Sequence, residues 1–167
     1  MTRAAIRRLT RADVDAFRAL RLDALAREPV AFGAAHEEEA QEPPSFFEAR
    51  LDSLVFGAEA DGRLLAIGGL GAGGRLKTRH RATLWGLYVA PEARGHGIGG
   101  RLVAALVEAG RAMPGVETLV LTVTAGNAAA LALYRAAGFE AVGVDRGALR
   151  VGGVDHDEVL MRLDLGP

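Results

Sequence analysis

Stretches of alternating apolar and polar residues take turns along the chain with stretches of apolar residues at helical spacing, and each switch of period marks an element boundary. Ala4 to Arg8 reads as a short first strand. Thr10 is the predicted N-cap of a helix from about Ala12 to Ala26, with Val14, Phe17, Leu20, Leu22 and Leu25 on its apolar side. Glu28-Pro29 ends that helix, and a polar, acidic segment runs through Pro43-Pro44 to a second short helix around Ser45 to Leu51. This middle segment is the expected loop over a substrate.

Leu54 to Glu59 and Arg63 to Leu70 form a predicted hairpin around Asp61-Gly62, followed by a flexible break at Gly71 to Arg75. Ala82 to Val89 is the next strand, and Ile98 to Met113 is helical through Ile98, Leu102, Ala105, Leu106 and Ala109 until Pro114-Gly115 stops it. Leu119 to Val123 follows as a buried strand, Ala128 to Ala137 as a helix, and Phe139 to Val144 and Val154 to Leu163 as closing strands. A hairpin followed by βαβ crossovers implies a mixed α/β sheet with helices on its faces, in one domain over residues 1–167.

Composition narrows the partners. No uncharged apolar run approaches the roughly 18 residues of a membrane span, and the N-terminus lacks a signal-peptide core, so a soluble, cytoplasmic protein is expected. Cysteine is absent, which removes disulfides, thiolate metal sites and a cysteine nucleophile. Twenty basic residues against 21 acidic ones leave no global field that would favour nucleic acid or an anionic membrane.

The chemistry begins between the strand ending at Val89 and the helix starting at Ile98. Gly95, Gly97, Gly99 and Gly100 leave the backbone of this turn uncovered, so successive N–H groups can converge on an anion at a helix N-terminus. Arg94 adds a charge and forked donors suited to phosphate, and nothing in the loop calls for a metal. The bland alternative is a glycine-rich turn that merely lets strand and helix approach. Gly95-His96-Gly97-Ile98-Gly99-Gly100 also satisfies the dinucleotide fingerprint G-x-G-x-x-G. Against that reading, Ala90-Pro91-Glu92-Ala93-Arg94 separates the strand from the first glycine, and Val123-Thr124 ends the next strand without a ribose-binding acid. A P-loop nucleotide site fares worse still, because no Gly-Lys-Ser or Gly-Lys-Thr follows the glycines.

Leu87-Tyr88-Val89-x-Pro91-x-x-Arg94-Gly95-x-Gly97-Ile98-Gly99 resembles the acetyl-CoA signature of the GNAT N-acetyltransferase superfamily, whose core is Arg or Gln, two residues, Gly, one residue, Gly or Ala. The resemblance implies a central mixed, mostly antiparallel sheet of about six to seven strands flanked by about four helices. It implies that the backbone of Gly95, His96, Gly97, Ile98, Gly99 and Gly100, with Arg94, holds the pyrophosphate of acetyl-CoA. It further implies that Leu87 and Val89 contact the pantetheine arm, one of their N–H groups polarising the thioester carbonyl, and that no metal is needed.

A second segment, Asn127-Ala128-Ala129-Ala130-Leu131-Ala132-Leu133-Tyr134-Arg135-Ala136-Ala137-Gly138-Phe139, resembles the other recurrent element of the family. Asn127 and Tyr134 lie nearly two helical turns apart, on one face and roughly 10 Å apart along the axis. Asn127 also reads as a plain N-cap and Tyr134 as a half-buried aromatic. The resemblance puts Asn127 in contact with the cofactor and gives Tyr134 the task of protonating the leaving thiolate.

Such enzymes transfer acetyl directly to an amine in a ternary complex, so the acceptor is expected to be a primary amine of a small molecule or of a peptide or protein. Many relatives carry a glutamate on the strand before the glycine loop, but Ala82 to Tyr88 holds no carboxylate. Candidate bases are therefore Glu37, Glu38 and Glu39, His80, and His156 with Asp155 and Asp157. Phe32 and Trp85 are candidates to line the acceptor site, core packing being the competing role for Trp85. Glu28-Pro29-Val30-Ala31-Phe32 followed by Glu37 to Glu39 resembles a bacterial GNAT subset with a Pro-x-Ala-Phe segment and an acidic stretch. Family habit makes a homodimer the expected assembly. The missing strand carboxylate keeps open a non-catalytic acyl-CoA-binding sensor of the same fold.

Overall fold

The computed structural model describes residues 3–166. Seven strands form one sheet in the order β1-β2-β3-β4-β5-β7-β6. They are β1 (Ala5–Arg8), β2 (Leu54–Ala60), β3 (Arg63–Ala72), β4 (Arg81–Val89), β5 (Thr118–Thr124), β6 (Glu140–Val151) and β7 (Val154–Asp164). Every pairing is antiparallel except β4 with β5, where a crossover helix joins two parallel neighbours. The helices are α1 (Val14–Arg27), α2 (His36–Glu39), α3 (Pro44–Leu51), α4 (Ile98–Ala112) and α5 (Ala128–Ala136). The expected mixed sheet with flanking helices is the one observed; the fifth helix is α2, a single turn within the segment read as loop. No helix among the described residues is long and apolar enough to cross a membrane.

Two apolar clusters lie on opposite faces. On one face Ile98, Leu102, Val103, Leu106 and Val107 of α4 pack on Leu70, Leu84, Leu119, Leu121 and Met161, joined by Tyr134 and Phe139. On the other, Phe17 and Ala24 of α1 and Phe47 and Leu51 of α3 pack on Val55, Ile67 and Tyr88. Thr10 caps a single 3-10 turn, Arg11–Asp13, that leads into α1, so the helix proper starts two residues later than the spacing suggested.

The closing strands are longer than the sequence predicted. β6 continues to Val151 and pairs Val151 with Val154 across Gly152-Gly153, both in the left-handed conformation that a two-residue hairpin turn requires. The outcome is a long two-stranded arm. On β3, Gly69 lies beneath the indole of Trp85, where an added Cβ would sit 2.5 Å from ring carbons. Gly69→Ala should therefore lower stability by about 1–3 kcal/mol through overpacking, read as a shifted urea midpoint and a change in the emission of Trp85, the only tryptophan.

Candidate active site

The site originates in how β4 leaves its neighbour. β4 and β5 pair only where Arg81, Ala82 and Thr83 meet Thr118, Leu119 and Val120; beyond Thr83 the strands diverge. A bulge in β4 accompanies the divergence, since Ile67 and Gly69 of β3 are two residues apart while their partners Tyr88 and Trp85 are three apart. Gly86 supplies the left-handed φ of 65° at that bulge. The extra residue reverses the phase of the strand: Trp85 and Tyr88 both pack on the α1 side, whereas Leu84, Leu87 and Val89 pack on the α4 side.

Two adjoining cavities occupy the gap. The first, of about 410 Å³, is lined by Leu87, Val89, Arg94, Gly95, Gly97, Ile98, Gly99, Gly100 and Asn127. Every residue expected to touch the cofactor thus lines it except His96, whose Nδ1 lies 2.9 Å from the carbonyl oxygen of Arg94 and whose ring braces the loop instead. Gly95 and Gly97 have φ of 79° and 71°, and a Cβ on either would meet nothing within 4 Å. Their backbone is bare and shaped for an anion at the N-terminus of α4. Arg94 is held by the protein itself: Nε donates to the Val89 carbonyl at 3.0 Å, Nη2 pairs with Glu28 at 3.0 Å, and the guanidinium covers the Tyr88 ring. It fixes the loop against the strand and against the segment after α1.

The second cavity, of about 430 Å³, shares Ala31, Phe32, Leu87, Asn127 and Ala130 with the first. Tyr134 lines it, 7% exposed and packed edge-on to Phe139 at 5.8 Å. Burial pushes the phenol well above its ordinary value, so at neutral pH it holds its proton. Asn127 both caps α5, accepting from the Ala130 N–H at 3.1 Å, and faces the two cavities, so the two readings of this residue coexist. Phe32 and Trp85 line the second cavity, as does Glu158 of β7.

The candidate bases are placed elsewhere. Glu39 is 3% exposed and receives Nε and Nη2 of Arg21 at 3.0 and 2.9 Å, with Nη2 of Arg50 at 2.9 Å. Burial pushes its carboxyl up, but the two guanidiniums outweigh that and hold it below the ordinary value. Glu38 accepts from the Ala35 N–H, Asp155 is bound by Arg150, and Asp157 accepts from the Gly147 N–H. Glu37 lines a third hollow between the loop after α1 and the tip of the β6–β7 arm. None of these, nor His80 or His156, lines the cavity that holds Tyr134.

Sequence reasoning passed over Arg21, Gly86 and Glu158. Arg21 sits in the buried stripe of α1 with Phe17, Ala24 and Leu25, where a cation is not expected. Gly86 was open to detection, because a glycine inside a strand pattern signals a bulge. Glu158 carries no local signal: its place follows from pairing opposite Thr124 of β5.

The sequence profile of the acetyltransferase (GNAT) family matches residues 17–139. The chain belongs to the GNAT family of acetyltransferases. The N-alpha-acetyltransferase RimI of Mycobacterium tuberculosis is 34% identical over 157 residues, which cover 83% of this chain and 95% of that one. The crystal structure of a ribosomal-protein-alanine N-acetyltransferase from Brucella melitensis superposes with a TM-score of 0.79 at 32% identity, covering 96% of this chain and 99% of that one. A GNAT-family acetyltransferase structure from Streptococcus pneumoniae, at 21% identity, reaches 0.86 over 98% and 99% of the two chains and shows the shared fold. The GNAT chain is accordingly an N-acetyltransferase, an enzyme that acetylates amines.

The Arg21–Glu39–Arg50 cluster underlies one wall of this enzyme's second cavity. Glu39→Gln leaves the buried Arg21 and the half-buried Arg50 short of their counter-charge and should cost about 3 kcal/mol in urea denaturation. Because the folded carboxyl lies below its unfolded value of about 4.3, its contribution is complete above that pH and is lost as pH falls through the folded value. The variant should therefore show a flatter acid limb of stability than the parent.

Proposed function

We propose that the enzyme takes acetyl-CoA as donor and an α-amine of a peptide or protein as acceptor, with Tyr134 protonating the thiolate that leaves. The observation that carries this reading is the continuity of the two cavities, one walled by the bare glycine loop and the other by the buried phenol. The residues fit the donor: backbone N–H groups at Gly95 to Gly100 and the start of α4 suit a pyrophosphate, and the edge of β4 that β5 leaves open beyond Thr83, around Leu87 and Val89, offers backbone groups to an amide-bearing arm. Bound there, the donor supplies an activated acetyl group.

The protein's own part is positioning and proton management. A backbone N–H of β4 near Leu87 stabilises the oxyanion as the amine adds. Tyr134, kept neutral by burial, gives its proton to sulfur. The peptide acceptor is favoured by the acceptor classes named for the Mycobacterium tuberculosis and Brucella melitensis relatives. A hollow of about 600 Å³ between the loop after α1 and the arm, lined like the second cavity by Phe32 and Gly33, offers further room beside it.

Tyr134→Phe removes the hydroxyl and leaves the packing against Phe139. Thiol release with a peptide bearing an N-terminal alanine should fall about 100-fold, while acetyl-CoA affinity by calorimetry stays unchanged. An unchanged rate would remove Tyr134 from the mechanism; loss of acetyl-CoA binding would make its role one of cofactor contact.

A further inference from the structure

We propose that Glu158 of β7 is the group that takes the proton from the acceptor amine, the role for which β4 has no carboxylate; this rests on the reading of the two cavities given above. Glu158 is the one carboxylate among the described residues that lines the cavity holding Tyr134. The arrangement is dictated by the sheet. In an antiparallel pair, residues directly opposite share a face, so Glu158 stands with Thr124 on β5 and Asp145 on β6 and flanks Leu160 and Thr122 on the face that opens to solvent. The divergence of β4 and β5 joins that face to the Tyr134 side, since residues of both faces line one cavity: Thr83, Val120, Thr122 and Leu160 from one, Leu84, Leu121 and Met161 from the other.

Its charge is available. Among the described residues no side chain pairs with Glu158 or hydrogen-bonds to it. Of the two cations in the cavity wall, Arg21 is already held by Glu39 at 2.9 Å and 3.0 Å, and Arg81 lies at the opposite end, where β4 still pairs with β5. Asp145 faces Glu158 across β6–β7 but does not line the cavity, so the charge an incoming ammonium meets there is the Glu158 carboxylate, set among Trp85, Val142 and Leu160. An ammonium attached to an apolar body suits that combination.

The step balances without another reactant. The ammonium gives one proton to the Glu158 carboxylate, the freed lone pair forms the C–N bond at the thioester carbonyl carbon, and the C–S bond breaks. Sulfur takes the Tyr134 proton, the phenol is restored from the nitrogen, and the proton on Glu158 passes to solvent. The products are an amide, a thiol and one released proton.

The test compares Glu158→Gln, Glu158→Asp and, as a control, Asp145→Asn in the whole enzyme, using acetyl-CoA and a peptide with an N-terminal alanine. At about pH 6.5, where an α-amine of pKa about 7.7–8.0 is mostly charged, Glu158→Gln should lower kcat/KM about 100-fold. At about pH 9 the amine is already neutral in solution and most of the deficit should vanish. Glu158→Asp should recover part of the rate, Asp145→Asn should remain close to the parent, and all should bind acetyl-CoA as the parent does. Equal rates for parent and Glu158→Gln at the lower pH, or the same deficit at both, would overturn the assignment while leaving the acetyltransferase reading intact. A parent that turns over no amine would remove both together.

Discussion

Everything at this site follows from the failure of two parallel strands to stay paired. A strand interior satisfies its N–H and C=O groups by pairing on both sides, and leaving one side open costs free energy unless something else bonds there. β4 gives up its β5 partner after Thr83, and the chain reinforces the departure with an extra residue at Gly86. The opened edge is where a substrate's amide groups can replace the missing strand. The same opening lets one cavity reach both faces of the sheet, which is how a phenol from the α4 side and a carboxylate from the other come to border a common space.

The two walls of that space are stabilised differently. On the donor side α4 meets α5 and β4 by close packing, and Gly99 permits the approach: a Cβ there would lie 3.3 Å from Leu133. On the acceptor side the support is ionic. Arg21 stacks near Phe32, Arg50 lies over Phe46 and near Trp85, and both converge on Glu39. Three helices, α1, α2 and α3, are joined through this one carboxylate. Tyr88, whose hydroxyl donates to Asp23 at 2.9 Å and whose phenol burial and that bond push up to about 12, completes the polar layer beneath the bulge.

The glycine loop and the Asn127–Tyr134 helix were legible in the sequence because both are local. Their geometry is set by residues close along the chain, so spacing alone placed Gly95 to Gly100 at a helix start and Tyr134 on the Asn127 face. The order of elements was legible for the same reason, down to the hairpin at Asp61-Gly62. Where the reading stopped short, the determinant was pairing at long range. The sequence pattern stops β6 at Val144 because Asp145-Arg146-Gly147-Ala148-Leu149-Arg150 lacks the alternation of a half-buried strand; the two-residue turn at Gly152-Gly153 extends it regardless. Glu39 sat in an acidic run that resembles a solvated surface, and only the fold brings Arg21 and Arg50 to it. Glu158 became visible only once β7 was laid against β5.

The segment after α1 has a share in all of this. Glu28 grips Arg94 of the glycine loop, the Val30 carbonyl accepts from the Thr124 hydroxyl at 2.6 Å at the end of β5, and Phe32 borders all three hollows. For divergence among relatives the consequence is unequal freedom. The tip of the β6–β7 arm touches only the outer hollow and is free to drift toward new acceptors, whereas residues 28–32 are bound to both halves of the reaction. Selection for a new acceptor through those five positions would carry the donor loop along with it.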